Sequence, residues 1–297
     1  MRLKTNTLKG AALLLSASAI LSSGCGNPAK DPDEIPPVDS TQTTILNVNG
    51  EIFSIPSPIQ TAFLIKNSGA PYSKEILNAS NKSSQYSTNF SKALNLGIYG
   101  ADLGYVTIYD QTQDAIGYLN SAKKLADELG VSGAFDTKLL ERFQKNLGTK
   151  DSMLGLVGTA YRSSDAYLKN NDRSDVSGLV LAGGWIETLY FATNVYKTKP
   201  NEDVKHRIAE QKSSLQSLIK LLTPYYSQPE YTEFIDNLND LSTVFDGVEF
   251  QYKYEKPTTD ADKKVTTINS KTEVKITPEQ IESISQKIKS IRSQVVG

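Results

Sequence analysis

Acidic side chains in two helical regions could supply the proton donor and acceptor of a hydrolase. Asp102, Asp110 and Asp114 lie within one stretch of helical periodicity. In another such stretch, Glu187 follows closely on the single tryptophan, Trp185. Two carboxyl groups that flank a glycosidic bond can act as acid and base. Their spacing selects no particular pair. A periplasmic or surface hydrolase that uses carboxylates is therefore the alternative hypothesis for function, and no residue is assigned as catalytic.

The single histidine lies among acids that could help to bind a metal. Glu202 and Glu210 lie four residues before and four after His206, so the three residues share one helical face. Carboxylate-bridged metal sites of helical bundles need Glu-x-x-His on two helices, whereas this chain has one histidine. The sequence also lacks the G-x-S-x-G motif that surrounds many serine nucleophiles. It therefore predicts no metal site and no cofactor, and we expect this face to be solvated.

Tyrosine is the residue type that favours a binding function. It supplies 15 of the aromatic side chains, beside 9 Phe and 1 Trp. Because tyrosine has an apolar ring and a polar hydroxyl, it suits half-exposed grooves and interfaces. The other interpretation is that these rings fill a large helical core. The pair Gly183-Gly184 beside the tryptophan would leave room for a neighbour. The candidate ligand-binding residues are Trp185, Tyr190, Tyr105 and Tyr109.

Helical periodicity dominates the sequence from about residue 57 onward. Residues 90–129 are long enough for two helices or one bent helix, and the glycines at positions 97, 100 and 104 predict a close helix–helix contact. Further helices are predicted near residues 136–147, 152–169, 174–196, 201–222 and 229–241. We therefore expect a mainly α fold, either an antiparallel helical bundle or a short α-solenoid.

The period changes near the C-terminus. Residues 248–255 alternate apolar and polar side chains, and residues 264–276 have the composition of a returning strand, so a β-hairpin is predicted at about 248–276 with its turn at 257–262. Thr277 and Pro278 then mark a helix start. The helix at about 278–295 carries a narrow apolar stripe that would dock on the body or on a partner.

The N-terminus has the three parts of an export signal. Arg2, Lys4 and Lys9 are followed by an apolar run at residues 11–21 and by small residues before Cys25. The apolar run is shorter than the roughly 20 residues that span a bilayer. Residues 1–24 are therefore predicted to be a signal peptide. No later segment looks apolar enough in sequence to predict a membrane span.

The sequence LSSGC at residues 21–25 resembles the lipobox of bacterial lipoproteins. That resemblance implies cleavage before Cys25 and acylation of this cysteine; the alternative is an ordinary signal peptide that leaves a free thiol. Residues 25–56 begin with several prolines and acids and are predicted to be a tether, followed by a helical domain at 57–297. The overall plan resembles helical outer-membrane lipoproteins of the Bacteroidota, which implies an outer-membrane location but leaves open the side that the protein faces.

The balance of positive and negative charge argues against nucleic acid as a partner. With 32 Lys and Arg against 33 Asp and Glu, the chain lacks the basic field of a nucleic-acid-binding protein. The expected contacts are with the membrane, through the lipid on Cys25, and with an envelope protein or a glycan. The sequence thus favours an envelope lipoprotein that acts as a non-catalytic binding or scaffold protein for a protein, peptide or glycan.

Overall fold

The computed structural model describes residues 44–48, 51–55, 58–134, 137–146, 149–170 and 173–297. The predicted signal peptide, Cys25 and most of the predicted tether lie outside these residues. Nine α-helices and six β-strands are present in the described ranges. They are β1 (Thr44–Val48), β2 (Glu51–Ile55), α1 (Pro58–Asn67), α2 (Asn89–Ile108), α3 (Thr112–Glu128), α4 (Thr137–Lys145), α5 (Lys150–Asn170), α6 (Ser174–Thr198), α7 (Glu202–Leu222), α8 (Pro229–Phe245), β3 (Glu249–Lys253), β4 (Thr258–Asp260), β5 (Val265–Thr267), β6 (Lys271–Lys275) and α9 (Pro278–Val296). The predicted fold class, mainly α with a C-terminal hairpin, is confirmed.

The region predicted as two helices or one bent helix is two helices. Thr88 begins α2, because its side-chain oxygen accepts a hydrogen bond from the backbone N–H of Ser91 at 3.1 Å. The chain leaves the helix after Ile108, and Asp110 has a φ of 60°. A positive φ at a residue other than glycine cannot continue a right-handed helix. The chain therefore turns here before α3 begins.

Two glycines allow α2 and α6 to pack backbone against backbone at the centre of the protein. A Cβ atom added at Gly97 would overlap the carbonyl oxygen of Val180, and one added at Gly183 would overlap the carbonyl oxygen of Leu94. The close contact predicted for the glycines of α2 thus exists at Gly97. The neighbour for which Gly183 leaves room is the α2 backbone.

The remaining helices surround this central pair. Helix α6 also packs against α1, α5, α7 and α9, while α2 packs against α1, α3 and α5. In a solenoid each repeat contacts its sequence neighbours, whereas α6 contacts helices that are distant in sequence. The arrangement is therefore a helical bundle rather than a solenoid.

Helix α6 is apolar because it lies in the core. By length and composition it could cross a membrane, although the sequence suggested no such segment after the leader. In the structure 89% of its most apolar stretch is buried inside the bundle. Burial by other helices explains its composition without a membrane.

Helix α9 docks on the body of the protein. Thr277 and Gln280 form a reciprocal capping box, in which each side chain hydrogen-bonds the other residue's backbone N–H. The predicted apolar stripe, which includes Ile284 and Ile288, is buried against α6 and α8. The stripe was expected to dock on the body or on a partner, and in the structure it docks on the body.

The C-terminal hairpin spans the predicted range, but its turn is shorter than predicted. Strand β3 pairs antiparallel with β6, and beyond Pro257 the short strands β4 and β5 continue the pairing. The turn therefore lies at residues 261–264, near Lys264 with its φ of 54°, and not at 257–262. Lys212 fixes the base of the hairpin by donating hydrogen bonds to the carbonyls of Asp246 (3.0 Å) and Val248 (2.9 Å).

A second hairpin lies in the segment that was predicted as tether. Strands β1 and β2 pair antiparallel, with Val48 opposite Glu51. The two residues between them read Asn-Gly, the pair that most favours a two-residue hairpin connection. The prediction of a tether over residues 25–56 missed this signal.

Candidate functional site

A groove opens where the chain entering α2 meets α8 and the end of α9. Its cavity volume is about 500 Å³, within the range that small ligands or short peptide segments occupy. The lining residues are Gln85, Tyr86, Ser87, Thr88, Phe90, Ser91, Leu94, Glu230, Glu233, Phe234, Asn237, Gln294, Val295, Val296 and Gly297. Three separate parts of the chain thus form one concave surface.

The floor of the groove is aromatic and rigid. The ring of Phe90 packs edge-on against Tyr231, with 5.0 Å between ring centroids, and against Phe234 at 5.7 Å. Such edge-to-face pairs hold rings in fixed orientations. Phe234 is buried and Phe90 is half-buried, so Phe90 offers part of its ring to the groove.

Hydrogen bonds hold the wall that α9 contributes. Asn95 donates its side-chain N–H to the carbonyl of Val295 at 2.9 Å. Lys82 donates to the carbonyl of Gly297 at 2.7 Å. Across the opening, Asn237 donates to the side-chain oxygen of Gln294 at 3.1 Å. The wall is therefore fixed against α2 and α8 before any ligand arrives.

The rim of the groove is acidic. Glu230 and Glu233 are exposed and lie three residues apart on α8, so their side chains share a face of the helix. Neither forms an ion pair with any part of the chain that the structure describes. Two unpaired carboxylates beside an apolar floor suit a ligand that has a cationic group next to an apolar one.

A second polar cluster lies inside the bundle and joins α2, α6 and α9. Arg292 makes two parallel hydrogen bonds to Glu187, from Nε to Oε2 at 2.5 Å and from an Nη atom to Oε1 at 2.6 Å. Its guanidinium also donates to the carbonyl of Ile76 at 3.2 Å and lies 4.3 Å from the centroid of the Tyr190 ring. Glu187 has no exposed surface, which makes this a buried, bidentate ion pair.

Asp102 is the third member of the cluster. Its side chain is fully buried, and neither of its oxygens has a hydrogen-bond donor in the described ranges. Burial and the charge of Glu187 both raise the pKa of Asp102 well above its ordinary value. Burial thus favours the protonated form of this carboxyl group.

Arg292 and Glu187 each stabilise the charged form of the other. Burial nevertheless raises the pKa of Glu187, although the positive charge and hydrogen bonds of Arg292 oppose that rise. Burial alone would lower the pKa of Arg292, but Glu187 raises it above its ordinary value, so the guanidinium stays charged. The two carboxyl groups of the cluster have no surface that a substrate could reach in this conformation.

The four aromatic residues predicted to bind ligand lie away from the groove. Trp185 is 2% exposed and Tyr105 is fully buried, so both rings belong to the core. Tyr109 is half-buried against Tyr105, at 4.8 Å between centroids, and Tyr190 is half-buried beneath Arg292. The structure therefore brings Tyr105 and Tyr109 together, and ligand binding by these four residues stays a prediction.

The other acids singled out in the sequence lie at or near the surface. Lys66 pairs with Asp110 at 3.2 Å, and Lys74 pairs with Asp114 at 2.6 Å. Hydrogen bonding from Lys74 lowers the pKa of Asp114 despite partial burial. Around His206, both neighbouring glutamates are exposed and interact with Lys205 and Arg207. No set of three His, Cys, Asp or Glu side chains that could hold a metal occurs among the described residues.

Two signals in the sequence could have located these features. Glu230, Glu233 and Asn237 follow a spacing of three and four, which places them on one face of a helix. Arg292 occupies a position on the apolar stripe of α9, four residues after Ile288, which predicts a buried charge and hence a buried partner. Neither signal identifies the elements that lie opposite.

Comparisons of the chain with protein-family models, with curated proteins and with solved structures give no match.

Proposed function

We propose that the protein is a lipid-anchored protein of the cell envelope that binds a peptide segment of a partner protein in the groove between α2, α8 and α9. The observation that carries the proposal is the groove itself: a preformed cavity of about 500 Å³ with an aromatic floor and an acidic rim. Concave apolar sites with a few converging polar groups are the usual form of a binding site.

The chemistry of the lining favours a peptide with basic and apolar side chains. Phe90 offers an apolar contact, and Glu230 and Glu233 offer negative charge. The side-chain amides of Asn237 and Gln294 can exchange their mutual hydrogen bond for bonds to a peptide backbone. A glycan would instead be expected to stack on an open aromatic face, whereas Phe90 is half-buried against Tyr231 and Phe234.

The buried acids support a binding protein over the alternative hydrolase. Asp102 and Glu187 are fully buried, and Glu187 is held by Arg292. A general acid and base must reach a substrate within hydrogen-bond distance. In this conformation the pair contributes to the core of the bundle, so a binding function accounts for more of the observations.

Selection from a library of random short peptides, with the full chain immobilised, tests this function. Peptides that carry Lys or Arg beside Leu or Phe should be enriched, and added salt should weaken their binding. The double substitution Glu230→Gln and Glu233→Gln should lower the affinity about tenfold, since each exposed charge contributes modestly. Asp236→Asn on the same helix, outside the groove lining, is the matched control. Enrichment of acidic peptides, or an affinity that the double substitution leaves intact, would refute the proposed ligand.

The anchor has a separate test that does not depend on the ligand. Cys25→Ser in the full chain should release the protein from the membrane fraction or leave an uncleaved precursor there, because the residue that would carry the acyl chains is gone. Normal cleavage together with normal membrane retention would contradict lipidation at Cys25.

A further inference from the structure

The C-terminal hairpin exposes more apolar surface than a solvated ribbon requires. Six large hydrophobic side chains are exposed in the described ranges, and five of them lie on this hairpin. They are Phe250, Tyr252, Tyr254, Val265 and Ile268. Every residue of β3 is exposed, and β3 has β6 on one side and no strand on the other within the described part of the chain. An open aromatic edge strand is a template for pairing with another strand.

The sequence of β3 is complementary to itself when it runs antiparallel. It reads Glu-Phe-Gln-Tyr-Lys over Glu249–Lys253. If two copies pair with Gln251 opposite Gln251, Glu249 of each copy faces Lys253 of the other. The same register places Phe250 opposite Tyr252. Opposite charges and aromatic pairs across strands both stabilise a sheet.

The other edge of the ribbon has the opposite character. Strand β6 reads Lys-Thr-Glu-Val-Lys over Lys271–Lys275. In the register that pairs all five of its residues with a second copy, Lys271 would face Lys275 on both sides of the centre. Like charges directly opposite each other destabilise a sheet, and lysine is a common protection of edge strands. The hairpin is thus open to a second copy along β3 and protected along β6.

We propose that β3 is a dimerisation edge, at which two copies of this chain join their hairpins into a four-stranded antiparallel sheet in the order β6–β3–β3–β6. A two-fold axis passes beside Gln251, which makes the interface isologous. Each body lies at the start of its own β3, so the two bodies lie at opposite ends of the paired strands. Tyr254 and Ile268, which are 70% and 75% exposed, lie on the ribbon beyond the paired residues of β3.

Cross-linking at the two-fold axis tests the register. In the full chain carrying Cys25→Ser, the substitution Gln251→Cys introduces a single cysteine that faces its own copy. Oxidation, or a short bis-maleimide, should then give covalent dimers. Glu273→Cys is the matched control, because Glu273 lies opposite Gln251 on β6 and is one strand further from the axis. Failure of the Gln251→Cys chain to cross-link, or equal cross-linking of the Glu273→Cys chain, would overturn the proposal.

Exchanging the charges of Glu249 and Lys253 tests whether the partner of β3 is a second copy of this chain. In the Gln251→Cys background, Glu249→Lys or Lys253→Glu alone places like charges opposite each other and should lower the dimer yield about tenfold. Mixing the two variants should restore the yield, since each chain then supplies the charges that the other needs. Circular dichroism should show unchanged helix content, because both positions are exposed on the ribbon. The proposal would be overturned if the single substitutions left the dimer yield unchanged, or if the mixture formed no more dimer than either variant alone.

Discussion

The substitution Arg292→Met separates the buried ion pair from the packing around it. Methionine keeps an unbranched chain in the core of the bundle but removes the guanidinium, which holds Glu187 at 2.5 and 2.6 Å. Glu187 then has no cation beside it and no exposed surface. A buried carboxylate without a partner binds a proton rather than remain charged.

The free energy needed to protonate Glu187 sets the size of the expected loss of stability. A glutamate with an ordinary pKa of about 4.3 costs about 3.7 kcal/mol to protonate at pH 7 and about 1 kcal/mol at pH 5. The lost hydrogen bond to the carbonyl of Ile76 and the lost contact with Tyr190 add about 1–2 kcal/mol at either pH. We therefore expect a loss of about 5 kcal/mol at pH 7 and about 2–3 kcal/mol at pH 5.

The sign of this pH dependence follows from the variant's folded state. Without Arg292, the pKa of Glu187 in the folded protein lies above its unfolded value. The folded state then binds the proton more tightly, so its stability is fully present below the unfolded pKa and falls as pH rises through the folded pKa. In the wild type Arg292 opposes the rise in the pKa of Glu187, so this loss is smaller there than in the variant.

Urea unfolding followed by far-UV circular dichroism measures the effect at pH 5, 6 and 7, each value being compared with wild type at the same pH. Lys289→Met is the control, since Lys289 is exposed on the same helix and its replacement should change stability by less than about 0.5 kcal/mol. Adding Glu187→Gln to Arg292→Met should remove most of the pH dependence. An Arg292→Met loss that is equal at pH 5 and pH 7 would refute the argument that the uncompensated carboxylate is its source.

Four further substitutions test the core. Asp102→Asn should make stability less dependent on pH. Burial and Glu187 raise the pKa of Asp102, so the stability that this residue contributes is present below its ordinary pKa and lost as pH rises through its folded pKa, and asparagine avoids that loss. An unchanged pH profile of stability in urea titrations would contradict this. Gly97→Ala should lower stability by about 1–3 kcal/mol, because its Cβ would overlap the carbonyl of Val180. Gly104→Ala should instead stabilise α2 by up to about 1 kcal/mol, since its Cβ would lie 3.6 Å from Ile59. Equal effects of the two substitutions in thermal unfolding would argue against the α2–α6 contact. Trp185→Ala should cost about 3–5 kcal/mol as a large core residue, and a variant of wild-type stability that loses a ligand would instead support its predicted binding role.

Local patterns in the sequence determined the elements of this protein. Helical periodicity gave the helix starts, including the cap at Thr277, and the alternation after Gly247 gave the first strand of the hairpin. These predictions succeed because the side-chain period and the capping groups act within a few residues of chain. Pro257 is a turn signal within the hairpin, and the turn predicted there included residues of β4 that in fact pair with β5.

Tertiary packing alone decided which residues meet. Gly183 faces the backbone of α2, and Arg292 reaches Glu187 from 105 residues away in the sequence. The groove likewise joins Phe90, Glu233 and Gln294, which lie on three separate helices. A sequence pattern shows that a face is apolar, or that a charge lies on it, but many other elements could cover that face. The partner is fixed only when the whole bundle packs, because close packing and the pairing of buried charges depend on all the helices together.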